Sequence, residues 1–481
     1  MSFSSHDFVE NVERVGKLLS DFLESSRESA REVVRLDTVS QYRETLGLQV
    51  YLDRAGTHGD VELIEPFLNK YLDSLIRLND PRFIGHQVAR PHFASALADL
   101  VNGMTNNGMA VYEMGPGQVT LEKFILDWLL KCLPQPAWQG ADGILTSGGS
   151  IANLTALLAA RGVKDPASWE DGNHSRLAFL LPETSHYCLK RAVCILGYGE
   201  SSIFPVPTNA WGQIRVDQLE DSFERAVSAG RKPVLVAANA ASTPTGLYDD
   251  LYSVGQFARQ RELWFHVDGA HGASALVSEK HRGLLRGIEF ADSLVWDQHK
   301  LLQTSALCTA VLFREAASLD RIFQQKASYL NQSRDEESPN LFLRTLECTK
   351  VPMGLKFYLC LLACGQKGIA EFVDVLFERT REFHDLIQSR KGFSCPCQPQ
   401  SNILCFQYRP DLVDPFTVRE KIIRQGDFYL TQTELNGEKY FRFTVASPET
   451  DRAVVTELLE TIEKVAADQP GWQESQAAER H

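Results

Sequence analysis

The sequence predicts an α/β protein in which a mostly parallel central sheet carries helices on both faces and a small α+β domain closes the chain. Three observations lead there. Short apolar runs alternate with helical patterns between Gly143 and Phe313, the arrangement of strands and crossover helices in a parallel sheet. Two of these runs lie in Trp264-Phe-His-Val-Asp268-Gly-Ala-His271 and Asp292-Ser-Leu-Val-Trp-Asp-Gln-His-Lys300, and each delivers a charged side chain where a buried strand meets the C-terminal edge of its sheet. Further on, residues 402–408 and 440–445 alternate with a period of two, and a helical pattern follows at 451–466.

Taken in order, residues 1–85 read as a helical arm. Val9, Val12, Val15, Leu18, Leu19 and Phe22 recur at helical spacing, as do Val61, Ile64, Phe67, Leu68, Tyr71 and Leu75. Such an arm has too little core of its own, so it is expected to pack on another body, a partner subunit above all. Pro81-Arg-Phe-Ile-Gly-His-Gln87 is a loop leading to a helix that ends near Asn106-Asn-Gly108. A helix from Thr120 to Leu133 stops at Pro134 and Pro136. Residues 86–365 form the large domain, with strands at 143–146, 177–181, 203–206, 234–238, 263–267, 293–296 and 310–313 and a helix at 151–161. The polar segment Gln324 to Pro339, with the charge run Arg334-Asp-Glu-Glu337, reads as a long surface loop or lid. A long helix starts near Met353. Residues 366–481 form the small domain, with a polar tail from Asp468 that is expected to be disordered.

Composition narrows the function. The 481 residues are 44% hydrophobic and 23% charged, an ordinary balance for a water-soluble chain with a large core. A formal charge of −13 argues against nucleic acid or an anionic membrane surface as partner. The ten cysteines show no CxxC and no metal-ligand spacing, so reduced thiols in a cytoplasm are the expectation. No apolar run reaches membrane-spanning length, and Met1-Ser-Phe-Ser-Ser-His-Asp7 lacks the basic and then apolar start of a signal peptide.

The chemistry starts from the acid and the lysine. Asp268 and Lys300 delivered to one sheet edge suit a pyridoxal 5'-phosphate site, where a lysine condenses with the aldehyde and a carboxylate pairs with the pyridinium nitrogen. Ser147-Gly148-Gly149-Ser150 lies between a strand and a helix; it is either a phosphate cradle at a helix N-terminus or a glycine turn with a serine cap. His186 follows another strand end, as a capping residue or as a wall for the cofactor ring. Ser242 and Thr243 sit in the loop after the 234–238 strand, where their hydroxyls could meet a phenolate or carboxylate or simply cap a turn.

In that order, Ser-Gly-Gly-Ser, His186, Thr243, Asp268 and His299-Lys300 resemble the group II pyridoxal-phosphate-dependent decarboxylases, the family of glutamate, cysteine-sulfinate and aromatic amino acid decarboxylases. The resemblance runs from about Pro81 to Val465 and is densest in Ala291-Asp-Ser-Leu-Val-Trp-Asp-Gln-His-Lys-Leu-Leu302 and the following Cys308. It implies the type I PLP-dependent transferase fold, like that of aspartate aminotransferase, and an intertwined homodimer. It implies that Lys300 carries the cofactor, Asp268 keeps its ring nitrogen protonated, His186 stacks on the ring and Thr243 lies near cofactor and substrate. Ser147, Gly148, Gly149, Ser150 and His299 would hold the phosphate. Tyr329 falls at the position of the family's proton-donating tyrosine, Arg442 matches an arginine that meets a substrate carboxylate, and His86 stands in the loop where animal glutamate decarboxylases read the substrate side chain.

Three positions depart from the family. Asp297-Gln298 replaces the usual Asn-Pro before His-Lys, placing an extra carboxylate beside the cofactor. His271 stands where the animal enzymes carry an aromatic residue. Ile84-Gly-His-Gln-Val88 lacks the Gln and Ser of the glutamate enzymes. The expected reaction is α-decarboxylation of a small polar or acidic L-amino acid (glutamate, aspartate, cysteine sulfinate or cysteate). The alternatives are 2,4-diaminobutyrate or an aromatic amino acid as substrate, an aldehyde-forming or carbon–sulfur lyase on the same scaffold, and a catalytically silent assembly protein that keeps the fold.

Overall fold

The computed structural model describes residues 5–88, 90–174, 176–323 and 339–468. Tyr329, nearly all of the 324–339 segment and the tail from residue 469 lie outside the described residues.

Among the described residues, twelve strands form two sheets. In chain order they are β1 (Phe83–Ile84), β2 (Asp142–Thr146), β3 (Leu177–Pro182), β4 (Ile203–Val206), β5 (Lys232–Asn239), β6 (Trp264–Asp268), β7 (Ser293–Asp297), β8 (Thr309–Phe313), β9 (Phe393–Ser394), β10 (Ile403–Tyr408), β11 (Tyr429–Leu435) and β12 (Glu438–Thr444). The large sheet has the order β2-β8-β7-β6-β5-β3-β4. Its strands β7, β6, β5, β3 and β4 pair in parallel, and β8 runs antiparallel to both of its neighbours.

Burial on both faces explains why these strands read as continuous apolar runs. Side chains alternate across a strand, so Leu294 and Trp296 enter one core with Ile125, Leu129 and Phe357, while Val295 enters the other with Ala152, Ala156 and Leu189. The second core belongs largely to the helix Gly149–Lys164, whose alanines at 152, 156, 159 and 160 let it lie close on the sheet. At Gly162 that closeness is obligatory, because a Cβ there would stand 2.2 Å from the Arg321 carbonyl oxygen.

The helix Gly354–Ser389 joins the two bodies. Gly365 interrupts it with φ 67° and ψ 167°. Before the break Phe357 packs on Trp128 (5.2 Å between ring centroids), and after it Phe383 packs on Phe443 (6.3 Å). The small sheet, ordered β1-β11-β12-β10-β9, is antiparallel apart from β1, which pairs in parallel with β11. Its edge strand thus comes from the end of the N-terminal arm. Farther back in the arm, the Val33 amide donates to the Gly426 carbonyl (2.8 Å), and Arg82 pairs with the fully buried Asp80 at 2.9 Å.

Candidate active site

Parallel strands bring their C-terminal ends to one edge, and the loops that leave them enclose a cavity of about 200 Å³. Asp268 ends β6, Asp297 ends β7 with His299 and Lys300 just beyond, and Asn239 ends β5 in register with Asp268. Gly149, Ser150 and Asn153 from the start of the helix Gly149–Lys164, His186, Cys188, Thr243, Ala270 and His271 complete the wall. Seven side chains or backbone positions anticipated from sequence therefore meet here: Gly149, Ser150, His186, Thr243, Asp268, His299 and Lys300.

Asp268 is held by two donors. The Asn153 amide donates to Oδ2 and the Ala270 N–H to Oδ1, each at 3.2 Å. Each oxygen keeps a lone pair for a further donor. Behind Asn153 runs a chain of buried groups: its Oδ1 meets His266 Nε2 at 2.7 Å, His266 Nδ1 meets Ser293 Oγ at 2.8 Å, and Trp264 Nε1 donates to the same Oγ at 2.8 Å. Burial holds the His266 imidazole down at about 4, so it is neutral at physiological pH. Because the Asn153 NH2 is spent on Asp268, its oxygen must accept, which places the His266 proton on Nε2 and makes Ser293 the donor to Nδ1. Sequence reading missed Asn153 and His266. Their signals were there: Trp264, His266 and Asp268 share one face of β6 at a period of two, and Asn153 lies one helical turn beyond Gly149.

His186 does two things. It is the N-cap of the helix Tyr187–Ile195, accepting from the Cys188 N–H at 3.3 Å, and its ring forms part of the cavity wall. Burial lowers its proton affinity. His299 turns Nδ1 back to the Cys308 backbone, 2.9 Å from its carbonyl oxygen and 3.2 Å from its nitrogen. Lys300 Nζ lies 3.0 Å from Asp297 Oδ2.

At the cradle, Gly148 has φ 108°, a conformation L side chains avoid, and the helix that follows has no side-chain cap on its first N–H groups. Ser147 faces out and gives its hydroxyl to Glu347, so it does not line the cavity. His86 is exposed beside Tyr429, also off the cavity. Arg442 stands behind the wall: its Nη2 donates to the Thr243 carbonyl at 2.8 Å and to Gln87 Oε1 at 3.2 Å, its Nε to the Pro244 carbonyl at 3.0 Å and its Nη1 to Thr431 Oγ1 at 3.1 Å. The donor set fits a phosphorylated pyridine aldehyde: an amine, a carboxylate with free lone pairs and an uncapped helix N-terminus face one cavity.

Comparison with known proteins agrees. The model of the pyridoxal-dependent decarboxylase conserved domain matches residues 62–409. The chain belongs to that family. It is 30% identical over 415 residues to an acidic amino acid decarboxylase of Mus musculus, covering 82% of this chain and 75% of the relative. To an L-2,4-diaminobutyrate decarboxylase of Acinetobacter baumannii it is 26% identical, covering 84% and 81%. The crystal structure of mouse CSAD superposes with a TM-score of 0.89 at 24% identity, covering 97% of this chain and all of that one, which establishes the shared fold. The protein is thus a pyridoxal-phosphate-dependent amino acid decarboxylase with the fold expected from sequence.

Proposed function

We propose that this decarboxylase removes the α-carboxylate of a small polar or acidic L-amino acid, in the class of glutamate, aspartate, cysteine sulfinate and cysteate. The observation that carries the reading is the meeting of Lys300, Asp268 and Thr243 in one cavity whose Thr243 wall is braced by a buried arginine. When bound, the cofactor accepts the electron pair left on the α-carbon as carbon dioxide departs. The chain's own residues do the rest. Lys300 carries the cofactor and exchanges with the substrate amine. Asp268, oriented by Asn153 and Ala270, holds a proton on the ring nitrogen. His186 covers a ring face, and Thr243 sets the substrate carboxylate. Arg442 receives an acidic side chain by exchanging the Gln87 amide oxygen for a carboxylate. Tyr329, outside the described residues, supplies the proton to the α-carbon.

A second reading, 2,4-diaminobutyrate, is favoured by the cavity's charges. Asp268, Asp297 and Lys300 line it and, among the described residues, no arginine does, which suits a cationic side chain once Lys300 is engaged. A panel of amino acids assayed for carbon dioxide release separates the two. The first reading predicts the highest kcat/KM on an acidic substrate, with Arg442→Met abolishing that preference; a best rate on 2,4-diaminobutyrate establishes the second.

The working unit is proposed to be a homodimer in the cytoplasm. In support, Leu36, Val39, Leu52 and Phe93, all within the first hundred residues, are each at least 63% exposed, apolar side chains that a second copy would cover. All ten cysteines are unpaired, as in a reducing compartment, and among the described residues no helix is long and apolar enough to cross a membrane. The proposed units remain 1–85, 86–365 and 366–481.

A further inference from the structure

We propose that Asp297 occupies the anion position of the phosphate cradle in the cofactor-free chain, and that cofactor binding requires this carboxylate to take up a proton. The inference rests on the reading that the phosphate sits at residues 148–150.

Three observations meet at Asp297, which is 2% exposed. Its oxygens lie 3.2 and 3.3 Å from where a Cβ on Gly149 would stand, so the carboxylate is against the first residue of an uncapped helix N-terminus. That is where an anion is most favoured. Thr309, its register partner on β8, donates a hydroxyl to Oδ1 at 2.6 Å. Lys300 approaches Oδ2 at 3.0 Å, and His299 Nε2 stands 3.6 Å away. The carboxylate therefore lies against the helix terminus and pairs with the lysine that the cofactor needs.

The remaining titratable neighbours are Asp268 on β6, His186 and Cys188 at the start of the next helix, His271 after β6 and Cys308 before β8. Burial lowers both histidines and pushes both thiols up to about 12, so these four are neutral at pH 7 to 8.5. No further cation from the helix or from β8 faces Asp297 among the described residues. A phosphate monoester carries about −1.5 to −2 charges at neutral pH. Bringing it beside Asp297 sets two anions on one helix terminus, and the like-charge repulsion is relieved by protonating the carboxylate. Asparagine at this position keeps an acceptor for Thr309 and offers a donor to phosphate without the charge.

The test compares dissociation constants of pyridoxal 5'-phosphate and pyridoxal for the full-length apoprotein, titrated spectroscopically at pH 7 and pH 8.5. The ratio of the two constants isolates the phosphate from the chemistry at Lys300. In the native chain the advantage of the phosphorylated form is expected to fall several-fold on raising the pH. In Asp297→Asn it is expected to rise by about tenfold at pH 8.5, the equivalent of one pH unit of proton linkage, and to lose its pH dependence. Asp297→Ser, which also removes the charge, is expected to behave likewise should the asparagine variant fold poorly. Ser150→Ala checks the cradle itself. A lowered ratio in Ser150→Ala with no change in either Asp297 variant overturns the proposal and leaves the cradle standing; no change in any of the three overturns the placement of the phosphate.

Discussion

Asn153 is the residue through which the cofactor's acid is aimed, and its removal has two separable effects. Asn153→Ala deletes the 3.2 Å donor to Asp268 and the 2.7 Å acceptor for His266. A hydrogen bond to a charged group contributes about 1.5–3 kcal/mol, and a buried donor left unpaired costs about 1–3 kcal/mol. The second term falls on folding, because His266 is fully buried and neutral in the cofactor-free chain. The first falls partly on cofactor binding, since Asp268 must present a lone pair along the axis of a ring nitrogen. If half of it is felt there, cofactor affinity drops about 3- to 12-fold, at about 1.4 kcal/mol per tenfold. Apoprotein titrated with pyridoxal 5'-phosphate gives the binding constant, and urea unfolding of the apoprotein gives the stability. Ser293→Ala, one step farther along the chain, leaves Asn153 in place and is expected to change the binding constant less than threefold (roughly under 0.7 kcal/mol). A folded Asn153→Ala with native cofactor affinity would refute the reasoning, as would a Ser293→Ala effect as large as that of Asn153→Ala.

Acid should destabilise the fold through its buried imidazoles. His271 is held down at about 3 and His266 at about 4, both by burial, against about 6.5 in the unfolded chain. Their contribution is complete above pH 6.5 and is lost as the pH falls toward the folded values, because the unfolded chain alone takes up protons there. Between pH 6.5 and 5 each histidine accounts for about 2 kcal/mol, and urea unfolding of His271→Phe across that range should show a correspondingly shallower loss. The pair Lys350–Glu122, both 2% exposed in their side chains, anchors β2 through the Leu145 N–H and carbonyl. Lys350→Met strands the carboxylate and is expected to cost about 3–5 kcal/mol in chemical denaturation, with the double variant Lys350→Met/Glu122→Leu recovering part of it.

What could be read beforehand follows from periodicity. Strands β2 to β8 were legible as apolar runs because the sheet is covered on both sides, and the ends of β6 and β7 stood out because a charge interrupts an apolar run there. The small sheet was only half legible. β10 and β12 alternate cleanly, whereas β1 has two residues and pairs with β11 across more than three hundred positions, a contact no local pattern carries. Ser147 looked equivalent to Ser150 in its motif, yet its hydroxyl is claimed by Glu347, two hundred residues away. Arg442 was legible as a residue type, but its bracing of the Thr243 and Pro244 carbonyls depends on the docking of one sheet against the loops of the other. Asp297 showed itself as a departure from a motif; its place against Gly149 needed coordinates.

The central claim is that Lys300 carries the cofactor opposite Asp268. Borohydride reduction of the holoprotein, followed by proteolysis and mass spectrometry, measures it directly. The account predicts a reduced pyridoxyl-phosphate adduct on the peptide containing Lys300 and none in Lys300→Ala. An adduct on a different lysine, or full decarboxylase activity in Lys300→Ala, would contradict it.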